Sequence, residues 1–170
     1  MRTLGFSVGH DKGAVVIENG KVVVGITQER LTRVKHDGAY QGGKIPYESI
    51  LYCLNHLGLT INDIHSFVYS TTELHDDVEE QFKKKFGDKK YNISFIPHHL
   101  AHAYSSFFSS GFEDSAVIVA DASGSILNKL NRLSEWYPDV TNEGLEKGED
   151  WTEGISIYHI TRNSHKEVYK

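Results

Sequence analysis

A single cysteine, three prolines and one methionine are the scarce residues of this 170-residue chain, and it has no long apolar run. One cysteine excludes an intrachain disulfide and a cysteine zinc cluster, and the apolar neighbours Ile50, Leu51 and Leu54 place Cys53 in the core. No window approaches the roughly 20 apolar residues of a membrane helix. The stretch before His10 is too short and too interrupted by glycine for a signal peptide, so no membrane association and a cytoplasmic location are expected. A net charge of only −5 creates no field that draws the chain to nucleic acid or to an anionic surface, and no nucleic-acid partner is expected. With 39% hydrophobic and 24% charged residues, disordered, collagen-like and low-complexity classes are excluded.

What is present reads as an α/β protein. Residues 4–8, 14–18 and 21–27 are short runs rich in Val and Ile, and the last two are joined by Asn19-Gly20, the signature of a two-residue hairpin turn. A three-stranded meander is therefore expected at the start. Pro46 suits the first turn of a helix carrying Ile50, Leu51, Leu54 and Leu57 and closed by Gly58. A strand is expected over residues 65–70, a charged helix over 76–86 with Gly87 behind it, and a strand over 91–96. Pro97 then opens a helix that runs to Gly111. Residues 115–120 are unbroken apolar, the pattern of a strand buried on both faces. From 126 to 154 the text is polar and aperiodic, and residues 155–161 alternate again as a strand.

Polar clusters fall at the ends of these strands, where ligands of α/β sheets collect. His98 and His102, four apart on a helix, project from one face and can share a cation; the bland alternative is a helix start with two solvated histidines. Asp121, at the end of an apolar strand, is a candidate third ligand, or else it caps the following turn. The turn Gly9-His10-Asp11-Lys12-Gly13 can aim backbone amides at phosphate oxygens, and His10 can carry a proton. Arg30, Arg33, Lys35 and His36 form a cationic run suited to a phosphate or carboxylate, or simply a solvated basic loop. The Lys83-Lys84-Lys85 run reads as a solvated helix face.

Taken in order, Gly9-His10-Asp11 with Ala14, the block Gln28-Glu29-Arg30-Leu31-Thr32-Arg33-Val34-Lys35-His36-Asp37, the block His98-His99-Leu100-Ala101-His102-Ala103, and Val119-Ala120-Asp121-Ala122-Ser123-Gly124 resemble the N-terminal part of the carbamoyltransferases of the nodulation and aminoglycoside-antibiotic type. Gln28 and Ala122 depart from that pattern, which has an acidic residue and a glycine there.

The resemblance implies an actin-like ATPase (ribonuclease H-like) fold, with a mixed sheet and helices on both faces. It implies a first half-domain over residues 1–112 and the start of a second over 113–170, to be completed by a C-terminal remainder of the same protein. It also implies transfer of a carbamoyl group from carbamoyl phosphate, through a carbamoyl-adenylate made with ATP, to a hydroxyl of a small-molecule acceptor. A divalent transition metal, iron foremost with manganese or zinc as alternatives, would be held by His98, His102 and Asp121. His10 would be the catalytic residue, and Asp11, Gly13, Lys35 and Gly124 would serve substrate or nucleotide binding. Residues 1–170 alone are expected to be an inactive piece of that enzyme. The competing readings are a stand-alone metal- or nucleotide-binding module of the same fold, and an acyl- or sugar-kinase relative, which would need no HxxxH pair.

Overall fold

The three short runs at the start build a meander of β1 (Arg2–Ser7), β2 (Gly13–Glu18) and β3 (Lys21–Thr27), as expected, with every second residue buried at the centre of β1 and β2. Asn19 and Gly20 both take positive φ, 51° and 79°, which is what a type I′ turn requires. The computed structural model describes residues 1–9, 11–37, 44–72, 77–122, 124–126 and 152–169. The chain divides into two compact units, Met1–Thr71 with His75–Ile96, and Thr72–Leu74 with Pro97–Lys170.

In the first unit the sheet order is β3-β2-β1-β4-β5, with β4 over Ser66–Thr71 and β5 over Ile93–Pro97. β1 is antiparallel to β2 and parallel to β4, so the sheet is mixed. Its register sets Leu4 beside Val16 and Phe67, and Phe6 beside Ala14 and Tyr69, so the buried residues of three strands share one face. Helix α2 (Tyr47–His56) buries Ile50, Cys53 and Leu54 and packs on β2 and β3. Helix α3 (Val78–Phe86) inserts Phe82, whose ring lies 5.2–5.4 Å from those of Phe6, Phe67, Phe86 and Tyr91. Such ring pairs add about 0.5–1.5 kcal/mol each beyond burial. Phe82 is therefore the hub of this core.

The second unit has a three-stranded antiparallel sheet, β6 (Asp114–Ala120), β7 (Ile155–Thr161) and β8 (His165–Tyr169), in that order. Helix α4 (His98–Ser110) packs on β6 and β7, where Leu100, Ala103 and Phe107 are buried together with Val119, Tyr158 and Ile160. It ends at Gly111 in the left-handed conformation, φ 82°, as the glycine stop foretold.

Three elements differ from the expectation. β6 is not buried on both faces: it is an edge strand of an antiparallel sheet, and Ile118 on its outer side is 68% exposed. A short helix not marked in the sequence, α1 (Gln28–Thr32), follows β3 and carries Arg30, the first residue of the cationic run, with Gln28 drawn inside to accept from the Ser49 N–H and hydroxyl. β8 pairs with β7 at a stretch the sequence did not mark as a strand. Among the described residues no helix is long and apolar enough to cross a membrane.

Candidate functional site

Helix α4 begins immediately after β5, and its first two turns carry His98 and His102 on one face. Their Nε2 atoms are 3.1 Å apart, with the rings at 88° to one another. Asp121 follows directly on β6 and brings its Oδ2 to 3.0 Å from His98 Nε2 and 3.6 Å from His102 Nε2. Its other oxygen accepts from the Ala122 N–H at 2.7 Å, so the carboxylate is oriented by the turn as well. Asp121 thus orders the turn that follows it and also stands beside both histidines.

Donor separations test whether this set fits a cation. Adjacent ligands at about 2.1 Å from a common ion lie about 3.0–3.4 Å apart in octahedral or tetrahedral geometry. Two of the separations here, 3.0 and 3.1 Å, fall in that range, and the third, His102 Nε2 to Asp121 Oδ2 at 3.6 Å, exceeds it by about 0.2 Å, a gap that a small side-chain rotation closes. Two imidazoles and one carboxylate suit a divalent transition ion better than calcium, which prefers oxygen alone. Protonation favours the same use. Burial, with His98 beside it, holds His102 below its ordinary value against the pull of Asp121 and Glu153. The bond from His98 holds Asp121 below the usual carboxylate range. Neutral imidazole and ionised carboxylate are the ligating forms.

The wall behind the triad is buried. Ser125, His99, Glu153 and Ser156 are all at most 1% exposed. His98 donates its backbone N–H to Ser125 Oγ at 2.9 Å, and His99 Nδ1 lies 2.8 Å from Ser156 Oγ. Gly124, expected to serve substrate or nucleotide binding, donates its N–H to Glu153 O at 2.7 Å. A Cβ at Gly124 would stand 2.5 Å from Glu153 Cβ and 2.6 Å from His99 Nε2, so the glycine serves a close approach of chains. Glu153 escaped sequence reasoning because it lies in an aperiodic polar stretch and its partners are remote in the chain.

In the first unit, Asp11 and His36 come together from two separate sequence blocks, Oδ1 to Nδ1 at 2.8 Å. Glu29 accepts from the His36 N–H at 3.2 Å, and a recess of about 100 Å³ is lined by Asp11, Lys12, Thr27, Glu29 and His36. Lys35 opens the 3-10 turn that carries His36 and is itself exposed. Gly13 sits in β2 opposite Thr27, where a Cβ would meet Ile26 O at 2.9 Å. A larger cavity, about 680 Å³, lies beside α2 and α3 with Lys12, Lys44, Lys84 and Lys85 in its wall. His10 and Ser123 lie outside the described residues.

Residues 2–91 match the family described as Carbamoyltransferase N-terminus. The chain belongs to that family. The nodulation protein NolNO of Sinorhizobium fredii is 32% identical over 145 residues, which is 71% of this chain and 21% of that protein. An uncharacterized protein of Synechocystis sp. is 25% identical over 153 residues, 68% of this chain and 24% of its own length. The chain thus spans between a fifth and a quarter of these curated relatives. Among solved structures, YeaZ from Pseudomonas aeruginosa superposes with a TM-score of 0.54 over 99% of this chain and 65% of its own, at 6% identity. That likeness shows the fold alone: a mixed sheet with helices on both faces.

Proposed function

We propose that this carbamoyltransferase-family chain forms the N-terminal, metal-holding portion of an O-carbamoyltransferase. The reaction moves a carbamoyl group from carbamoyl phosphate, through a carbamoyl-adenylate formed with ATP, to a hydroxyl of a small acceptor. The observation that carries this reading is the His98, His102 and Asp121 cluster, whose donor atoms all lie within 4.8 Å of one another, in a chain of this family. A divalent ion bound there, with iron, manganese and zinc as candidates, supplies positive charge that polarises a carbonyl oxygen.

The remaining roles fall to the chain's own residues. His98 and His102 offer their Nε2 atoms, burial favours the neutral form of His102, and Asp121 supplies the one formal negative charge of the cluster. His10 accepts the proton of the acceptor hydroxyl as its oxygen bonds to the carbamoyl carbon and AMP departs, a role assigned from its place in the GHD block. Lys35 offers a cation to the phosphates, with Asp11 and Gly13 shaping the turn beside it and Gly124 the loop after β6.

The test is turnover by the protein that carries this chain, given carbamoyl phosphate, ATP and a panel of hydroxylated acceptors, with AMP and carbamoylated product followed by mass spectrometry. Loss of the base or of the positive centre costs orders of magnitude, so His10→Asn and His98→Ala are expected to lose most product formation. Undiminished turnover in His98→Ala would refute the metal-assisted reading, and undiminished turnover in His10→Asn the base assignment. Residues 1–170 by themselves are expected to form no product.

A further inference from the structure

We propose that Glu153, acting with Ser125, is a positioning residue for the metal cluster: a buried carboxylate that caps α4 from a distant part of the chain and fixes where His98 and His102 project toward Asp121. The inference rests on the metal reading of that cluster. Helix α4 starts behind Pro97 with no capping bond from its own N-cap side chain, so the N–H groups of its first turn need partners from elsewhere. Two are supplied from remote sequence. His98 donates to Ser125 Oγ at 2.9 Å, and His99 donates to Glu153 Oε2 at 3.3 Å. The same Oε2 accepts from the Ser125 N–H at 2.7 Å, which ties the cap to the loop that follows β6.

The backbone completes the clamp. Glu153 N–H donates to Ser125 O at 3.1 Å, Gly124 N–H to Glu153 O at 2.7 Å, and Asp121 N–H to Gly154 O at 3.1 Å. Residues 153 and 154 therefore hold the helix that bears both histidines and also the loop that bears the aspartate. His99, fully buried and 2.8 Å from Ser156 Oγ, fixes the rotation of the helix between the two ligands. A carboxylate only 1% exposed is costly unless hydrogen-bonded, and a helix N-terminus is the environment that favours it. Moving Glu153 moves one ligand pair against the third.

Groups behind metal ligands commonly set affinity by about 10–100-fold. The 170-residue chain and its variants Glu153→Ala, Glu153→Gln and Ser125→Ala are titrated with Co²⁺, with affinity read by chelator competition and geometry by the visible absorption band, while circular dichroism follows folding. Glu153→Ala is expected to bind about 10–100-fold more weakly with an altered band. Glu153→Gln, whose amide oxygen accepts the same two N–H groups, restores the wild-type band and brings affinity to within about threefold, and Ser125→Ala falls between. A folded Glu153→Ala with wild-type affinity and band overturns the proposal, as does a Glu153→Gln no better than Glu153→Ala. If Glu153→Ala fails to fold, wild-type Co²⁺ affinity in Ser125→Ala overturns it. Failure of wild type to bind Co²⁺, or equal binding by His98→Ala, would instead refute the metal reading itself.

Discussion

Replacing Gly124 by alanine tests how tightly the wall behind the triad is built. The added Cβ would lie 2.5 Å from Glu153 Cβ, 2.6 Å from His99 Nε2 and 2.7 Å from His99 Cδ2. Carbon atoms rest comfortably at about 3.5–4.0 Å, so the neighbours must retreat by about 1 Å. Neither can do so freely. Glu153 Cβ is anchored to a backbone that exchanges hydrogen bonds with Ser125 and Gly124, and the His99 ring is fully buried and held by Ser156. Overpacking of this kind costs about 1–3 kcal/mol. For a chain of this size each kcal/mol lowers the melting temperature by about 2–4 °C, which places the expected loss at about 2–12 °C. Gly154 is the matched control, because a Cβ there meets nothing within 4 Å, and Gly154→Ala should stay within about 0.5 kcal/mol of wild type. Thermal and urea unfolding of the three proteins by circular dichroism decides the matter. If Gly124→Ala melts together with Gly154→Ala, the close approach of loop, helix and strand is not as described, and the clamp argument loses its footing.

Metal held by the triad should stabilise the fold by about 2.7 kcal/mol at one hundred times its dissociation constant, a rise of about 5–11 °C in melting temperature. His98→Ala at the same metal concentration should show less than half of that rise, and an equal rise would remove His98 from the ligand set. Phe82→Ala should destabilise the first unit by about 3–5 kcal/mol in urea unfolding, since the ring is fully buried among four aromatic neighbours; a loss under about 1 kcal/mol would refute its role as hub. Burial holds His165, which lies 2.6 Å from Tyr104 Oη, below its ordinary value of about 6.5. The unfolded chain then takes up this proton first, so the contribution is complete above about pH 6.5 and is lost as pH falls from there through the folded value. Wild type should therefore lose more stability than His165→Gln between about pH 7.5 and 5, and parallel curves would contradict the assignment. The buried Cys53 thiol, pushed up by desolvation, should react with DTNB only on unfolding, and a stoichiometric burst from the native protein would count against its place in the core.

What the sequence made legible was local. Asn19-Gly20 specifies its turn by backbone preference alone, and Gly58, Gly87 and Gly111 mark helix ends because each must take positive φ. His98 and His102 could be paired in advance because helix geometry puts residues four apart on one face. Asp121 could be joined to them because strand ends in α/β folds are where such groups gather. Relations that depend on packing were not legible. An apolar run such as Ala116-Val117-Ile118-Val119 looks the same in a central strand and at the edge of an antiparallel sheet, and only the pairing with β7 shows which face is covered. Asp11 meets His36 from 25 residues away, and Glu153 meets the His99 N–H from 54. Nothing in the composition of the stretch around Glu153 distinguishes it from a solvated loop residue. Its meaning arises because α4 starts without a cap of its own and needs an acceptor at the point where β7 is about to begin. Ligand residues announce themselves through fixed spacing, whereas the residues that hold ligands in place answer to whichever backbone groups the fold leaves unpaired, so they emerge only once the fold is known.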